Sequence, residues 1–290
     1  MRLVCFEHSG KSAIGVRVDQ KIIPLAERHG ATIADVLKIP DFQSALASEI
    51  AAGASKAFAL SDVKLLPPVG PANRIFCVGL NYFEHIAETR GDNEPAPPQK
   101  PAAPTIFLGI LSSFVGNGVP LQLPSISDKF DWEGELVAVI GLPAYRVSAE
   151  TALDHIAGYS ISNDGSIRDW QLASTQWTMG KNFDNSGSIG PEIVSADELP
   201  RGARGLRIQT RLNGKVMQDD TTDSMMFDLP TLIAYLSQAV KLEVGDLILT
   251  GTPSGVGITR KPPVLMAAGD LCEVEIEQIG ILSNRIERGA

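Results

Sequence analysis

Short apolar runs separated by turn residues cover most of the chain, a pattern more typical of β-strands than of long helices. At the N-terminus, residues 3–6 and 14–18 are apolar runs on either side of a polar turn, which predicts a β-hairpin. Residues 31–60 are rich in alanine and predict a helical region, interrupted at Ile39-Pro40 because proline does not continue a helix. The chain therefore opens with strands followed by helices.

Strands are also the main prediction for the longer remainder of the chain. They are expected at residues 74–79, 136–140, 157–161, 206–212, 247–250 and 272–276. Asn213-Gly214 stands between apolar flanks and predicts a hairpin turn. Helices are predicted at residues 82–89 and 229–240, the second opened by an Asp228 cap and by Pro230. Since strands and helices do not alternate regularly, the pattern favours a β-rich α+β fold over a doubly wound sheet.

Two proline-rich segments mark places where the chain is expected to leave regular structure. The prolines of residues 65–71 predict a boundary between modules, so we expect a small N-terminal α+β domain at residues 1–70 and a larger domain at residues 71–290. Residues 94–101, which are again rich in proline, predict an ordered or semi-rigid loop.

The segment from residue 101 to residue 127 carries no charged side chain and is long enough to span a bilayer. It is interrupted by seven prolines and glycines, and only residues 106–115 are densely apolar. We therefore predict a buried strand with flanking loops at this place, and no membrane span.

Composition and charge narrow the class of protein. The 290 residues include 34 Asp and Glu against 25 Lys and Arg, without a Lys/Arg-rich run, so neither nucleic acid nor an anionic membrane surface is an expected partner. Cys5, Cys77 and Cys272 are far apart, which argues against a disulfide framework and against a cysteine zinc site. The N-terminal residues lack the apolar core of a signal peptide, so we expect a cytoplasmic protein.

Two carboxylates lead into the most apolar predicted strand. Because side chains alternate along a strand, Glu133 and Glu135 project from the same face as Val137. Two like charges close together in a partly buried place repel unless a cation neutralises them, and carboxylate ligands suit Mg²⁺, Mn²⁺ or Ca²⁺. The alternative is a solvated strand end with exposed acids, as in residues 272–277, where glutamates alternate with apolar residues.

A third carboxylate, Asp164, comes soon after the predicted strand at residues 157–161. Polar residues at a strand end are held rigidly by the scaffold and are a common place for chemistry. Asp164 would therefore complete a three-carboxylate metal site that leaves positions open for water and substrate. The alternative is an ordinary Asn-Asp-Gly turn.

Three further features suggest roles beside a metal. His85 and Glu88 would be neighbours on one face of the predicted helix, where the carboxylate can orient the imidazole as a general base, although such a pair is also a common surface contact. Lys181 is a single cation among apolar and amide residues. It is a candidate for binding a substrate carboxylate, and the alternative is an ordinary lysine exposed to solvent. Residues 250–257 follow a strand and are rich in glycine, so their N–H groups are candidates for binding an anion.

Together these segments resemble the fumarylacetoacetate hydrolase family. The resemblance rests on short motifs that occur in the family's order over residues 72–285, and their joint occurrence is specific. They include Gly79-Leu80-Asn81-Tyr82 with His85 and Glu88, Asp131-Trp132-Glu133-Gly134-Glu135-Leu136, Asn163-Asp164, Arg168-Asp169-Trp170-Gln171, Gly180-Lys181, Ile189-Gly190-Pro191, Gly245-Asp246 and Thr250-Gly251-Thr252-Pro253-Ser254-Gly255-Val256-Gly257.

The resemblance implies the family's mixed β-sandwich and β-roll catalytic domain, preceded by a small N-terminal domain and paired into a homodimer. It places Mg²⁺ or Mn²⁺ on Glu133, Glu135 and Asp164. It also implies that His85 and Glu88, on a lid over the substrate, are catalytic together with Lys181. The residues implied to bind the carboxylate and oxo groups of the substrate are Arg168, Gln171, Lys181 and Thr252.

The activity that we expect first is metal-dependent hydrolysis of the C–C bond of an acylpyruvate-type 2,4-dioxo acid, through a pyruvate enolate. The alternatives are oxaloacetate decarboxylation, or hydratase, isomerase or dehydratase chemistry on a 2-oxo acid from aromatic ring cleavage or sugar-acid catabolism. Outside enzymes, the alternative is a non-catalytic protein that binds a metal carboxylate. Two departures from the family pattern, Ile167 and residues 185–188, are expected to reshape the pocket, so the substrate stays open.

Overall fold

The structure is a computed structural model that describes residues 1–90 and 99–289, so most of the predicted loop at residues 94–101 lies outside the described residues. Its strands are β1 (Arg2–His8), β2 (Lys11–Val18), β3 (Lys21–Pro24), β4 (Phe58–Ala59), β5 (Lys64–Leu66), β6 (Ile75–Gly79), β7 (Thr105–Gly109), β8 (Phe114–Val115), β9 (Leu121–Leu123), β10 (Phe130–Asp131), β11 (Gly134–Ile140), β12 (Ile156–Asn163), β13 (Ser166–Ile167), β14 (Gly187–Ser195), β15 (Arg207–Leu212), β16 (Lys215–Thr221), β17 (Leu247–Leu249), β18 (Leu271–Ile276) and β19 (Gly280–Arg288). Its α-helices are α1 (Ile33–Leu37), α2 (Phe42–Gly53), α3 (Phe83–Arg90), α4 (Ala149–Ala152), α5 (Arg168–Gln171), α6 (Thr178–Lys181) and α7 (Leu229–Ala239).

A twelve-stranded sheet runs through the molecule in the order β4-β3-β2-β1-β14-β12-β11-β17-β6-β7, with β5 paired to β1 and β8 paired to β14. The N-terminal strands join it through β1, where Leu3 lies opposite Ile193 of β14. The division of the chain at residue 70 stays a prediction, because a shared sheet does not show whether either part folds alone.

A second sheet, in the order β16-β15-β18-β19-β9, packs over the central strands β11, β12 and β14. Tyr159 and Ile161 of β12 meet Ile208 of β15 and Val274 of β18 in one buried cluster, which Leu232 of α7 helps to close. Burial of these apolar side chains is the main force that holds the two layers together. The β-rich α+β architecture confirms the predicted fold class.

Several elements are confirmed where the local sequence signal was strong. β1 and β2 form the N-terminal hairpin, and β15 and β16 are joined at Asn213-Gly214. Helix α7 begins as predicted, because the Asp228 carboxylate accepts a hydrogen bond from the Thr231 N–H at 3.1 Å and Pro230 lies in the first turn. β18 alternates between buried apolar side chains and partly exposed glutamates, as expected of a strand with one wet face.

Two predictions about apolar segments were wrong in part. The helical region predicted at residues 31–60 forms as α1 and α2 with the expected break at Ile39-Pro40, but it ends before residue 60, because Phe58 pairs with Ile22 of β3. The buried strand predicted at residues 106–115 is the edge strand β7 followed by the two-residue strand β8, and Leu108 of β7 is 54% exposed. No helix within the described ranges is long and apolar enough to cross a membrane.

The central strand β14, which lies between β1 and β12, was not predicted. It contains Gly187, Gly190 and Pro191, which are typical of turns and sheet edges. The sheet accommodates them through a register shift in β12 between Tyr159 and Ile161, the second of which lies opposite Gly190. The strand is fully buried in spite of its composition.

Candidate active site

The pairing of β11 with β12 brings three carboxylates together. In this antiparallel pair, Gly134 lies opposite Asn163, so the residues just outside it, Glu133 and Asp164, are neighbours. The Asp164 N–H donates to the Glu133 carbonyl at 2.8 Å, and the Glu133 N–H donates to Asn163 Oδ1 at 2.9 Å. Glu135 lies within β11 itself. The paired strand ends therefore hold the backbone of all three acids.

The side chains of these acids converge as well. Glu133, Glu135 and Asp164 each offer a carboxylate oxygen within 4.8 Å of the others, and the three residues are 5%, 2% and 1% exposed. Burial, followed by the charges of Asp164 and Glu133, raises the pKa of Glu135 well above its usual range, and burial also raises the pKa of Asp164. Glu135 accepts a hydrogen bond from the Gly251 N–H at 2.9 Å. Such an all-oxygen set of buried donors fits a divalent cation.

Lys181 and Arg168 balance part of this negative charge. Lys181 of α6 places Nζ 2.5 Å from Glu133 Oε2 and 2.7 Å from Asp164 Oδ2. Arg168 of α5 donates from Nη1 to Glu133 Oε1 at 2.7 Å. Burial acts to raise the pKa of Glu133, but Lys181 and Arg168 outweigh it and hold that pKa at about 2. Glu133 is thus the most firmly ionised of the three acids.

The predicted substrate-binding residues surround these acids and have partners of their own. Arg168 also donates from Nε to Asp131 Oδ2 at 2.8 Å and from Nη1 to Gln171 Oε1 at 2.9 Å. The Thr252 hydroxyl donates to a β11 carbonyl at 2.9 Å and accepts from Gln218 Nε2 at 2.8 Å. The Nη2 atom of Arg168 is buried and has no hydrogen-bond partner within the described chain. It is therefore the guanidinium atom that a ligand could use.

The predicted His–Glu pair is formed in helix α3. His85, which is 5% exposed, places Nδ1 2.7 Å from Glu88 Oε1. A carboxylate can only accept, so Nδ1 carries the proton of the neutral ring and Nε2 is the basic nitrogen. The lid predicted around this helix stays a prediction, because residues 91–98, which follow it, lie outside the described residues.

A cavity of about 390 Å³ joins Glu133 and Glu135 to the His–Glu pair. Asp164 is not on the described wall but contacts Lys181, which is, and Phe107, Trp177 and Val256 add apolar surface to the cavity. A pocket that combines a few charged groups with apolar walls suits a small organic acid. The predicted site residues on its wall are His85, Glu88, Glu133, Glu135, Arg168, Gln171, Lys181 and Thr252.

Two polar residues that hold this site together were not predicted from the sequence. The fully buried Asp131 accepts hydrogen bonds from Arg168 and, at 2.7 Å, from the Gly257 N–H. Its position two residues before Glu133 was a usable signal, because it continues the same alternation. No local sequence signal indicated Thr259. Its hydroxyl lies 3.0 Å from Oε2 of Glu88, which is 171 residues away in the chain.

Neither of the two departures from the family pattern, Ile167 and residues 185–188, lines the described cavity. Ile167 is completely buried beside Phe130 and Trp132. Asn185 donates its N–H to the Ser112 carbonyl at 3.0 Å, and this contact lies away from the described cavity wall. The expectation that they reshape the pocket stays a prediction, and any such effect would have to pass through the residues that they support.

Known proteins resemble this chain in sequence and in structure. The model of the fumarylacetoacetate (FAA) hydrolase C-terminal family matches residues 74–287. The mitochondrial oxaloacetate tautomerase fahd2 of Xenopus laevis is 40% identical over 228 residues, which are 78% of this chain and 69% of that protein.

The chain also resembles solved structures over its full length, among them the following two. The 2-hydroxyhepta-2,4-diene-1,7-dioate isomerase from Mycobacterium marinum is 33% identical with a TM-score of 0.77, covering 100% of this chain and 99% of that chain. The fumarylacetoacetate hydrolase from psychrophilic Exiguobacterium antarcticum is 32% identical with a TM-score of 0.81, covering 100% of both chains. These matches confirm the resemblance seen in the motifs, and the chain belongs to the fumarylacetoacetate hydrolase family.

Proposed function

We propose that this protein is a divalent-metal-dependent enzyme that interconverts the enol and keto forms of a 2-oxo acid, with oxaloacetate as the first substrate to test. The observation that carries the proposal is one cavity that joins Glu133 and Glu135, two of three converging buried carboxylates, to the His85–Glu88 pair. One relative is named an oxaloacetate tautomerase, and one solved neighbour is named an isomerase of a 2-hydroxy diene dioate. A 2-hydroxy-2-ene acid is the enol of a 2-oxo acid, so both names describe a proton shift on the same kind of skeleton.

Glu133, Glu135 and Asp164 are the proposed ligands of Mg²⁺ or Mn²⁺. Their oxygens are hard donors that converge within 4.8 Å, in a buried place where uncompensated negative charge is unfavourable. The bound metal would supply positive charge that polarises the 2-oxo group and stabilises an enolate. Glu135 would gain most from the metal, because its described hydrogen bond comes from a neutral N–H group.

His85 is the group that we propose moves the proton. Its Nε2 takes a proton from C3, the C3–H electron pair forms the C2–C3 double bond, and the carbonyl π pair moves to the C2 oxygen. Delivery of the same proton from Nε2 to that oxygen completes the enol, and the reverse sequence restores the ketone. Glu88 stabilises the imidazolium that exists between the two transfers.

Lys181 and Arg168 are the proposed binding groups for the anionic parts of the substrate. Both cations are buried, so solvent screens their charges only weakly. Arg168 has Nη2 left for a substrate carboxylate, and Lys181 keeps a positive charge beside the acids. Gln171 and Thr252 add polar surface to the same wall. The site thereby suits an anion more than a neutral ketone.

Hydrolysis of an acylpyruvate-type 2,4-dioxo acid is the second candidate. The hydrogen bond between His85 and Glu88 favours it, because the same imidazole could take a proton from a water molecule that attacks C4. The C3–C4 bond then breaks, its electron pair stays with the pyruvate fragment as an enolate, and C4 becomes a carboxylic acid. One solved neighbour is named a fumarylacetoacetate hydrolase. Oxaloacetate decarboxylation, the other alternative, passes through the same enolate.

Proton NMR in D₂O separates these candidates. In tautomerisation the enol O–H exchanges with D₂O before the reverse reaction, so deuterium replaces the C3 hydrogens of oxaloacetate while the carbon skeleton stays intact. Decarboxylation and hydrolysis instead release pyruvate. We expect Mg²⁺ or Mn²⁺ to accelerate the exchange above the uncatalysed rate and EDTA to remove that acceleration. Pyruvate release from an acylpyruvate, without faster exchange in oxaloacetate, would replace the first candidate by the second.

The assembly and the compartment are further proposals. A homodimer is inferred from the family resemblance. Leu108 of the edge strand β7 and Ile110, which follows this strand, support it, since they are 54% and 52% exposed. Light scattering after size exclusion is expected to give twice the chain mass of 30.9 kDa.

The cytoplasmic location stays a prediction, because the Xenopus relative is mitochondrial by its name. A small 2-oxo acid remains the proposed partner, without nucleic acid or membrane.

A further inference from the structure

The loop of residues 251–259 donates hydrogen bonds to carboxylates in three parts of the site. These bonds join Gly251 N–H to Glu135 at 2.9 Å, Gly255 N–H to Glu88 at 2.9 Å and Gly257 N–H to Asp131 at 2.7 Å. One loop therefore contacts Glu135, which is a proposed metal ligand, Asp131, which binds Arg168, and Glu88, which binds His85.

Glu88 is held on both of its oxygens. Oε1 lies against His85, and Oε2 accepts from the Gly255 N–H at 2.9 Å. The Thr259 hydroxyl lies 3.0 Å from Oε2 and 3.1 Å from the Val256 carbonyl, and its single proton favours the charged carboxylate, which is the stronger acceptor. The terminal torsion of a glutamate is broad, so a carboxylate bonded only to an imidazole could rotate. Two donors on the second oxygen oppose that rotation. The orientation of His85 thus depends on groups outside helix α3.

The two donors differ in how they are fixed. Gly255 has φ of +104°, which favours glycine, and a Cβ added there would lie 2.2 Å from the Met217 carbonyl oxygen. Its N–H is therefore set by tight backbone packing. Thr259 contributes a side-chain hydroxyl, which a substitution can remove while the backbone stays in place.

We infer that Thr259 is a positioning residue for His85, an inference that rests on the proposed proton transfer. Its hydroxyl holds Glu88, and Glu88 keeps the proton of the neutral His85 ring on Nδ1 and leaves Nε2 basic. Because the same loop contacts Glu135, the hydrogen bond between Thr259 and Glu88 also links helix α3 to the proposed metal ligands.

Two variants separate the hydrogen bond from the shape of the side chain. Thr259→Val keeps the volume and removes the hydroxyl, whereas Thr259→Ser keeps the hydroxyl. Thr151→Val, at an exposed threonine of α4, is the matched control. Each protein is assayed for kcat and KM by C3 exchange and for Mn²⁺ affinity by calorimetry. The ring tautomer is read by ¹⁵N NMR of the four histidines, with the His85 signal assigned from a His85→Gln sample.

For Thr259→Val we expect kcat to fall on the order of 10-fold, as for loss of one hydrogen bond to a charged group, with KM and Mn²⁺ affinity close to wild type. The neutral His85 ring should lose its preference for the Nδ1–H tautomer, and Thr259→Ser should restore both properties. An unchanged tautomer in Thr259→Val, or equal losses in the two variants, would overturn the inference. A wild-type protein without any exchange activity would instead refute the proposed function, while the tautomer measurement still decides the role of Thr259.

Discussion

The Lys181 ammonium donates to the Asp164 carboxylate across 2.7 Å, and the two side chains are only 3% and 2% exposed. The lysine comes from α6, and the aspartate follows β12 directly. Lys181 contacts Glu133 as well, so one buried cation serves two of the three acids. A buried ion pair of this kind makes each partner sensitive to loss of the other, because an unpaired charge cannot regain its hydration.

Replacement of Lys181 by methionine should make the protein dependent on metal for its stability. Removal of one partner of a buried ion pair destabilises a protein by about 3–5 kcal/mol, so we expect the free energy of unfolding in EDTA to fall by that order. Added Mg²⁺ should stabilise Lys181→Met more than wild type, since it supplies the missing charge. Urea unfolding with and without Mg²⁺ measures both effects. Lys215→Met, at an exposed lysine, is the control, and wild-type stability of Lys181→Met in EDTA would contradict the prediction.

Substitution of Asp164 and of His85 should affect different steps. Asp164→Ala is expected to abolish both metal binding and turnover, because it removes one of three proposed ligands. His85→Ala should lower kcat by about 10²–10⁴-fold, the usual contribution of a general base, and retain Mn²⁺ binding. Calorimetry with Mn²⁺ and the exchange assay give the two readouts, with the exposed Asp154→Ala as control. Undiminished turnover of acylpyruvate or oxaloacetate by His85→Ala would rule out its role.

Asp131 should matter for stability although it is not a proposed ligand. Its carboxylate accepts from Arg168 Nε at 2.8 Å and from the Gly257 and Ile258 N–H groups at 2.7 and 3.0 Å. Asp131→Ala leaves these buried donors unpaired, and we expect a loss of about 3–5 kcal/mol in the free energy of unfolding. Denaturant unfolding checks this, with the exposed Asp128→Ala as control. If Asp131→Ala lowers the free energy of unfolding no more than Asp128→Ala does, the prediction is wrong and Arg168 has found another partner.

The absence of a side chain at position 79 should set how large a substrate the cavity admits. A Cβ at Gly79 would lie 2.2 Å from Cζ3 of Trp177, whose ring stands edge-on to Phe107 with centroids 5.8 Å apart. Gly79→Ala must therefore displace the indole, and we expect kcat/KM for long dienoic substrates to change about 10-fold or more, equivalent to at least 1.4 kcal/mol. Oxaloacetate should be affected less. If Gly79→Ala and Gly79→Ala/Trp177→Phe behave alike with both substrates, the ring does not limit substrate size.

Elements with local signals were predictable from the sequence, and elements set by their neighbours were not. β6, β11 and helix α7 were recognised because alternation, apolar runs and caps act within a few residues. β14 was missed because its glycines and proline contradict its central place, which depends on the strands that flank it. β7 was misread as buried, because an apolar run does not say whether a strand lies at the edge of a sheet.

In the site as well, some features were predictable from local sequence signals and others depended on contacts between distant segments. The sequence by itself determined the family, the three acids and the pairing of His85 with Glu88, since short motifs and helix spacing carry that information. Only the tertiary structure decided that Lys181 lies between two acids and that Thr259 holds Glu88 across 171 residues of chain. Ion pairs and hydrogen bonds act over a few ångströms between segments remote in sequence. Their geometry is therefore set by the pairing of β11 with β12 and by the path of the loop at residues 251–259.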